Sequence, residues 1–61
     1  MGAAEWLAMA LAYKAQTVLR DASGCVWVKK WNLWQRPGSL GDYDWTAIVR
    51  PWEVVWEPKE K

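Results

Sequence analysis

The residues best able to do chemistry lie close together, in Val26-Trp27-Val28-Lys29-Lys30-Trp31-Asn32-Leu33-Trp34-Gln35-Arg36. Trp27, Trp31 and Trp34 stand among Lys29, Lys30 and Arg36. Indoles stack on bases and cations neutralise phosphates, so this mixture is one pattern for a surface that holds single-stranded nucleic acid. It also suits the rim of a core, where a cation lies over an indole. Elsewhere the reactive groups are sparse. Cys25 is the only cysteine and there is no histidine. An internal disulfide and a Cys/His zinc site are therefore excluded, and a thiol nucleophile lacks its usual activating base. Cys25 reads as a buried structural thiol. Asp42 and Asp44 fall short of the ligand number a hard cation takes, and Asp44 is better placed to cap a short helix at 45–47. Gly38 and Gly41 lack the following Lys-Ser/Thr of a phosphate loop. No acid–base pair is suggested by spacing, so the chain reads as non-enzymatic and without a cofactor.

These residues must be positioned by a small fold. The chain has 61 residues and is 52% hydrophobic, enough for one domain near the size limit of a self-sufficient core. Its organising stretch is residues 17–28. Thr17 to Asp21 suits a strand, Asp21-Ala22-Ser23-Gly24 has hairpin-turn chemistry with Gly24 in the left-handed conformation, and Cys25 to Val28 returns. Strand alternation puts Cys25 and Trp27 on one face and Val26 and Val28 on the other. A strand apolar on both faces asks for cover on both sides.

One cover is the N-terminal segment. Residues 3–15 are rich in Ala, Leu and Met without Gly or Pro, which predicts a helix; Trp6, Met9, Ala10 and Tyr13 share one side of it. A helix apolar nearly all round calls for further burial, so the expectation is a homo-oligomer. Its apolar run is too short to span a bilayer and lacks the basic flank of a secretion signal. Trp6 stands where a myristoylation pattern needs Ser or Thr. The chain reads as soluble, intact and cytoplasmic, with no membrane insertion.

After the first hairpin, Trp31-Asn32 reads as a second corner, with Asn tolerating positive φ and a return strand over 33–36; one bent strand from Val26 to Gln35 is the alternative. Residues 37–44 form a loop. In 52–57, adjacent valines favour a strand with Trp52, Val54 and Trp56 on one face, against a helix begun by Pro51. The expected architecture is α+β: an N-terminal helix on an antiparallel sheet of three to four strands. Seven of the nine aromatics are Trp, more than so small a core readily encloses. The binding residues expected from this reading are Lys29, Lys30, Trp31, Trp34, Trp52 and Trp56. Trp27 belongs to the core and Trp31 to the surface.

Net charge is +1, which gives no overall pull on a polyanion. Basic residues predominate over 14–36 and acidic ones over 42–61, the distribution of an ordinary charged surface paired between its halves.

Asp21, Gly24 and Trp27 form an Asp-x-x-Gly-x-x-Trp hairpin, followed by Trp34 and a later Trp-rich segment. In this the chain resembles short orphan proteins encoded by bacteriophages of actinobacteria, over residues 17–36 and more loosely 45–57. The alanine-rich helix and the Trp31-Asn32 corner depart from that pattern. The resemblance implies a phage accessory factor that acts by binding in the host cytoplasm, and no catalytic activity. The leading expectation is a module that binds protein, itself or a host target. Nucleic acid is the runner-up, and a structural virion subunit would leave the same sequence pattern.

Overall fold

A computed structural model of the chain describes residues 2–59. Helix α1 spans Ala3–Ala12. The Gly2 N–H donates to the Glu5 carboxylate at 3.1 Å, which places a negative charge at the positive end of the helix dipole. The helix ends three residues before the expected limit of 15. Tyr13 turns extended (ψ 142°), Gln16 takes a φ of 77°, and a lysine from the sheet takes up the terminal carbonyls in place of a further helical turn.

Four strands follow: β1 Val18–Arg20, β2 Val26–Lys30, β3 Leu33–Gln35 and β4 Glu53–Trp56. They form one antiparallel sheet in the order β3-β2-β1-β4. The expected α+β fold, a helix packed on an antiparallel sheet, is what the chain adopts. Gly24 closes the first hairpin at φ 90°. The second hairpin also forms, but the left-handed corner is Trp31 (φ 57°) and not Asn32. The segment after β3 returns along it, and Trp34 and Tyr43 exchange backbone hydrogen bonds of 2.8 and 2.7 Å. Asp44 caps the 3₁₀ turn Trp45–Ala47, its carboxylate accepting from the Trp45 N–H at 2.8 Å. The Arg50–Pro51 peptide is cis.

The core lies between α1 and the loops on one side and a single face of the sheet on the other. It consists of Ala10, Leu19, Trp27, Trp34, Ile48 and Trp52, with Trp6, Tyr13, Cys25, Tyr43 and Trp45 half-buried around it. Cys25 is thus a half-buried rim residue and not the buried thiol the sequence suggested. The aromatic rings meet edge to face: Trp6 on Trp52 at 4.5 Å, Trp27 on Tyr43 at 5.3 Å and Tyr13 on Trp34 at 6.2 Å. This geometry sets the positive edge of one ring against the negative face of another. It explains how the core takes three buried indoles, Trp27, Trp34 and Trp52.

β4 departs from the expected alternation. Trp56 pairs with Val18 while Val54 pairs with Leu19, so the register slips by one residue at Val55. This bulge sends Trp56 to the outer face with Val18 and leaves Val54 on the side of Leu19. Trp52, Val54 and Trp56 therefore do not share a face.

Candidate functional site

Two charged side chains are buried in the interior, Asp21 and Lys29. Asp21 directly follows β1 and is 6% exposed. One carboxylate oxygen accepts from the Ser23 N–H (2.9 Å), the Ser23 hydroxyl (2.6 Å) and the Cys25 N–H (3.0 Å). The other accepts from the Trp27 indole N–H (2.9 Å) and the Val49 N–H (3.2 Å). Burial alone would push this carboxyl up. The hydrogen bonds from Ser23, Trp27, Val49 and Cys25 outweigh it and hold the group well below the usual carboxylate range. Asp21 thus fixes the hairpin turn, the central indole and the loop before β4 at once.

Lys29 faces the core beside Trp27's side of β2 and is 5% exposed. Its ammonium donates to the carbonyls of Ala10 (2.7 Å), Leu11 (2.9 Å) and Tyr13 (2.7 Å). These are the orphan acceptors that a helix leaves at its C-terminus, where the dipole also favours a cation. Desolvation lowers the pKa of Lys29 below the ordinary lysine value. Its charge is spent inside the molecule, tying α1 to the sheet, and the Trp34 ring lies 5.9 Å from the ammonium.

Three of the six expected binding residues are therefore corrected. Lys29, Trp34 and Trp52 are buried and cannot meet a partner. Lys29 is the helix cap, Trp34 packs on Tyr13, and Trp52 packs on Trp6 and donates its indole N–H to the Tyr13 hydroxyl at 3.3 Å. Trp27 is buried as expected, and Arg36 sits over the rings of Trp27 and Tyr43 at 5.5 and 5.4 Å. Of the aromatic and basic cluster, Lys30 and Trp31 are exposed and Arg36 is half-buried.

Lys30, Trp31 and Trp56 remain on the surface. Trp31 is 81% exposed at the tip of the second hairpin, and Trp56 is 53% exposed on β4. The register shows what surrounds Trp56. Gln35, Val28, Val18 and Trp56 are successive partners across all four strands, so they form one rung on the outer face of the sheet. Arg20 sits between Val26 and Glu53 on the next rung. Its guanidinium binds the Glu53 carboxylate through Nε and Nη2. Lys30 pairs with Leu33 on the other side. The outer face is thus an apolar strip of Val18, Val26, Val28, Leu33 and Trp56 with charges at its rim. Val26, Leu33 and Trp56 are exposed, and Val18 and Val28 are half-buried. The sequence reading named Trp56 and the uncovered Val26–Val28 face of the central strand, but not the strip that they form with Val18 and Leu33. The one usable signal was the two-faced strand, whose second apolar face lacked a cover.

On the other side of the molecule, Trp6, Thr46, Ile48, Val49, Arg50 and Pro51 line an open cleft of about 720 Å³. Among the described residues, no group of three or more Cys, Asp or Glu converges in the manner of a metal site. No helix among them is long and apolar enough to cross a membrane. Compared with family models, curated proteins and solved structures, the chain matches none.

Proposed function

We propose that this chain is a small non-enzymatic module that binds protein through the outer face of its sheet. The observation that carries the reading is the apolar strip Val18, Val26, Val28, Leu33 and Trp56 on a sheet whose other face alone is covered. An antiparallel sheet with one face in water normally alternates apolar-in and polar-out. Here valines replace the polar residues of the outer face, and contiguous apolar surface of this kind marks interaction sites. Trp56 supplies a large anchor of the type that dominates interfaces, and Arg20, Glu53 and Lys30 supply the polar rim. The resemblance to phage orphan proteins adds the expectation of an accessory factor with a host protein as target.

Site-specific photo-cross-linking tests this. A benzoylphenylalanine placed at Val28 should trap a protein in cells that make the chain. The same group at exposed Ala4 on α1 should not. If the Val28 probe yields only the free chain, the face is not an interface. In the chain that carries the Val28 probe, Val26→Lys lies at an exposed position of the same strip, so it should keep the fold and abolish the trapped complex.

A further inference from the structure

We propose that the cleft between α1 and the segment before β4 binds a small organic monocarboxylate with a flat apolar body. The cleft lies apart from the outer face of the sheet, and the proposal does not rest on the reading of that face.

The volume of about 720 Å³ falls within the range of pockets that take small ligands, about 300–1,000 Å³. Its lining comes from three places: Trp6 from α1, Thr46 from the 3₁₀ turn, and residues 48–51 from the segment that leads to β4. The core holds two of these parts in position. Trp6 stands edge to face on buried Trp52 at 4.5 Å. Val49 is fixed at both backbone groups. Its N–H donates to the buried Asp21 carboxylate at 3.2 Å, and its C=O accepts from the Ala22 N–H at 3.1 Å. The lining is therefore ordered before a ligand arrives, which lowers the entropy that binding must overcome.

The chemistry of the cleft is that of an unpartnered cation beside apolar surface. Arg50 is exposed, and among the described residues neither its guanidinium nor its backbone N–H has an acceptor. Arg20, by contrast, holds Glu53, and Arg36 lies over Trp27 and Tyr43. The carboxylates nearest in sequence to the lining are engaged locally. Glu5 accepts from the Gly2 N–H, and Asp44 accepts from the Trp45 N–H and the Thr46 hydroxyl. The Trp6 indole N–H also has no acceptor among the described residues. A guanidinium offers a planar fork of donors that matches a carboxylate. A single one balances one negative charge, so a carboxylate fits it better than a phosphate monoester dianion. The Trp6 ring, half-exposed Val49 and Pro51 supply the apolar surface for the body of the ligand.

Two-dimensional ¹⁵N NMR of the full chain, titrated with phenylacetate, tests the site. We expect saturable shifts of the Trp6 indole N–H, the Arg50 Nε–H and the Val49 backbone N–H, with the Trp31 indole unmoved. Phenylacetamide has the same shape without the charge and should bind about tenfold more weakly, the scale of a lost charge-assisted hydrogen bond. Arg50→Gln lies at an exposed position; it should keep the fold by circular dichroism and remove the preference for the acid. A tripeptide ending in a free phenylalanine carboxylate separates the two sources of this group, both of which support the site. Binding tighter than that of phenylacetate assigns the cleft to chain ends, and equal or weaker binding assigns it to free acids. The proposal is overturned by the absence of saturable shifts in the millimolar range, by equal affinity for phenylacetamide, by tighter binding of phenyl phosphate, or by an unchanged preference in Arg50→Gln.

Discussion

Asp21 concentrates more of the fold in one side chain than any other residue. Five donors meet its two oxygens, and one of them comes from residue 49, across 28 positions of sequence. Asp21→Asn keeps the shape but offers an amide N–H₂ to N–H groups that need an acceptor. Buried donors left without a partner cost about 1–3 kcal/mol each, so Asp21→Asn should lose at least about 2 kcal/mol at neutral pH. The pH dependence follows from the direction of the shift. The carboxyl titrates lower in the folded chain than in the unfolded one, where an Asp lies near pH ~3.9. The unfolded state therefore takes up protons first as pH falls. The stabilisation is complete above about pH 5 and is lost progressively below pH ~4, toward the folded-state value. Urea midpoints of the wild type and Asp21→Asn should converge as the pH is lowered to about 3. A gap that stays constant would mean that the carboxylate charge does not carry these bonds.

At the scale of the element, the second hairpin carries an evident conflict. Trp31 occupies a left-handed corner at φ 57°, where a side chain with Cβ costs roughly 1–2 kcal/mol, and it is 81% exposed. Trp31→Gly removes that strain but gives the unfolded chain more freedom, which returns about 0.5–1 kcal/mol. The net expectation is a rise in stability of about 0.5–1 kcal/mol, read as a higher urea midpoint. A fall would show that the indole packs on the sheet. The first hairpin was fully legible in Asp21-Ala22-Ser23-Gly24, because turn chemistry is local and Gly24 alone fits the corner cheaply. The second was legible as a turn but not in its corner residue, since propensity favours Asn over Trp there and the pairing of Lys30 with Leu33 decided otherwise. Lys29 was misassigned to the surface because a lysine is ordinarily solvated. Its parity with Trp27 placed it on the core face. The three acceptors that make burial tolerable come from α1, some sixteen to nineteen residues away, and no local pattern announces them.

The whole molecule is two layers, 19 Å along its shortest axis. That thickness leaves room for one helix layer and one sheet. The helix-on-sheet plan could be read from an alanine-rich segment followed by turn-separated apolar runs. The bare outer face followed from the same reading as a deficit, a strand apolar on both sides with only one cover to hand. The bulge at Val55 could not be read, because the period of two on which strand patterns rest breaks there, and with it went the expected faces of Val54 and Trp56.

The strand order carries a consequence in time. β1–β2 and β2–β3 are joined by short hairpins, whereas Arg20 meets Glu53 across 33 residues. Closing that long loop costs more entropy than either turn, and contacts distant in sequence are made late. The three-stranded meander should therefore be the nucleus, with β4 added after the rate-limiting step. Stopped-flow kinetics can separate the two stages. Gly24→Ala, which meets only backbone strain at φ 90°, should slow folding. Ile48→Val, removing a core methyl from the segment that leads to β4 and costing about 1 kcal/mol, should chiefly speed unfolding. The reverse pattern would place the closure of the C-terminal segment inside the nucleus. In the expected order, each molecule spends its last moments of folding with β1 as the open edge, so a β4 strand from a neighbouring copy can dock in place of its own.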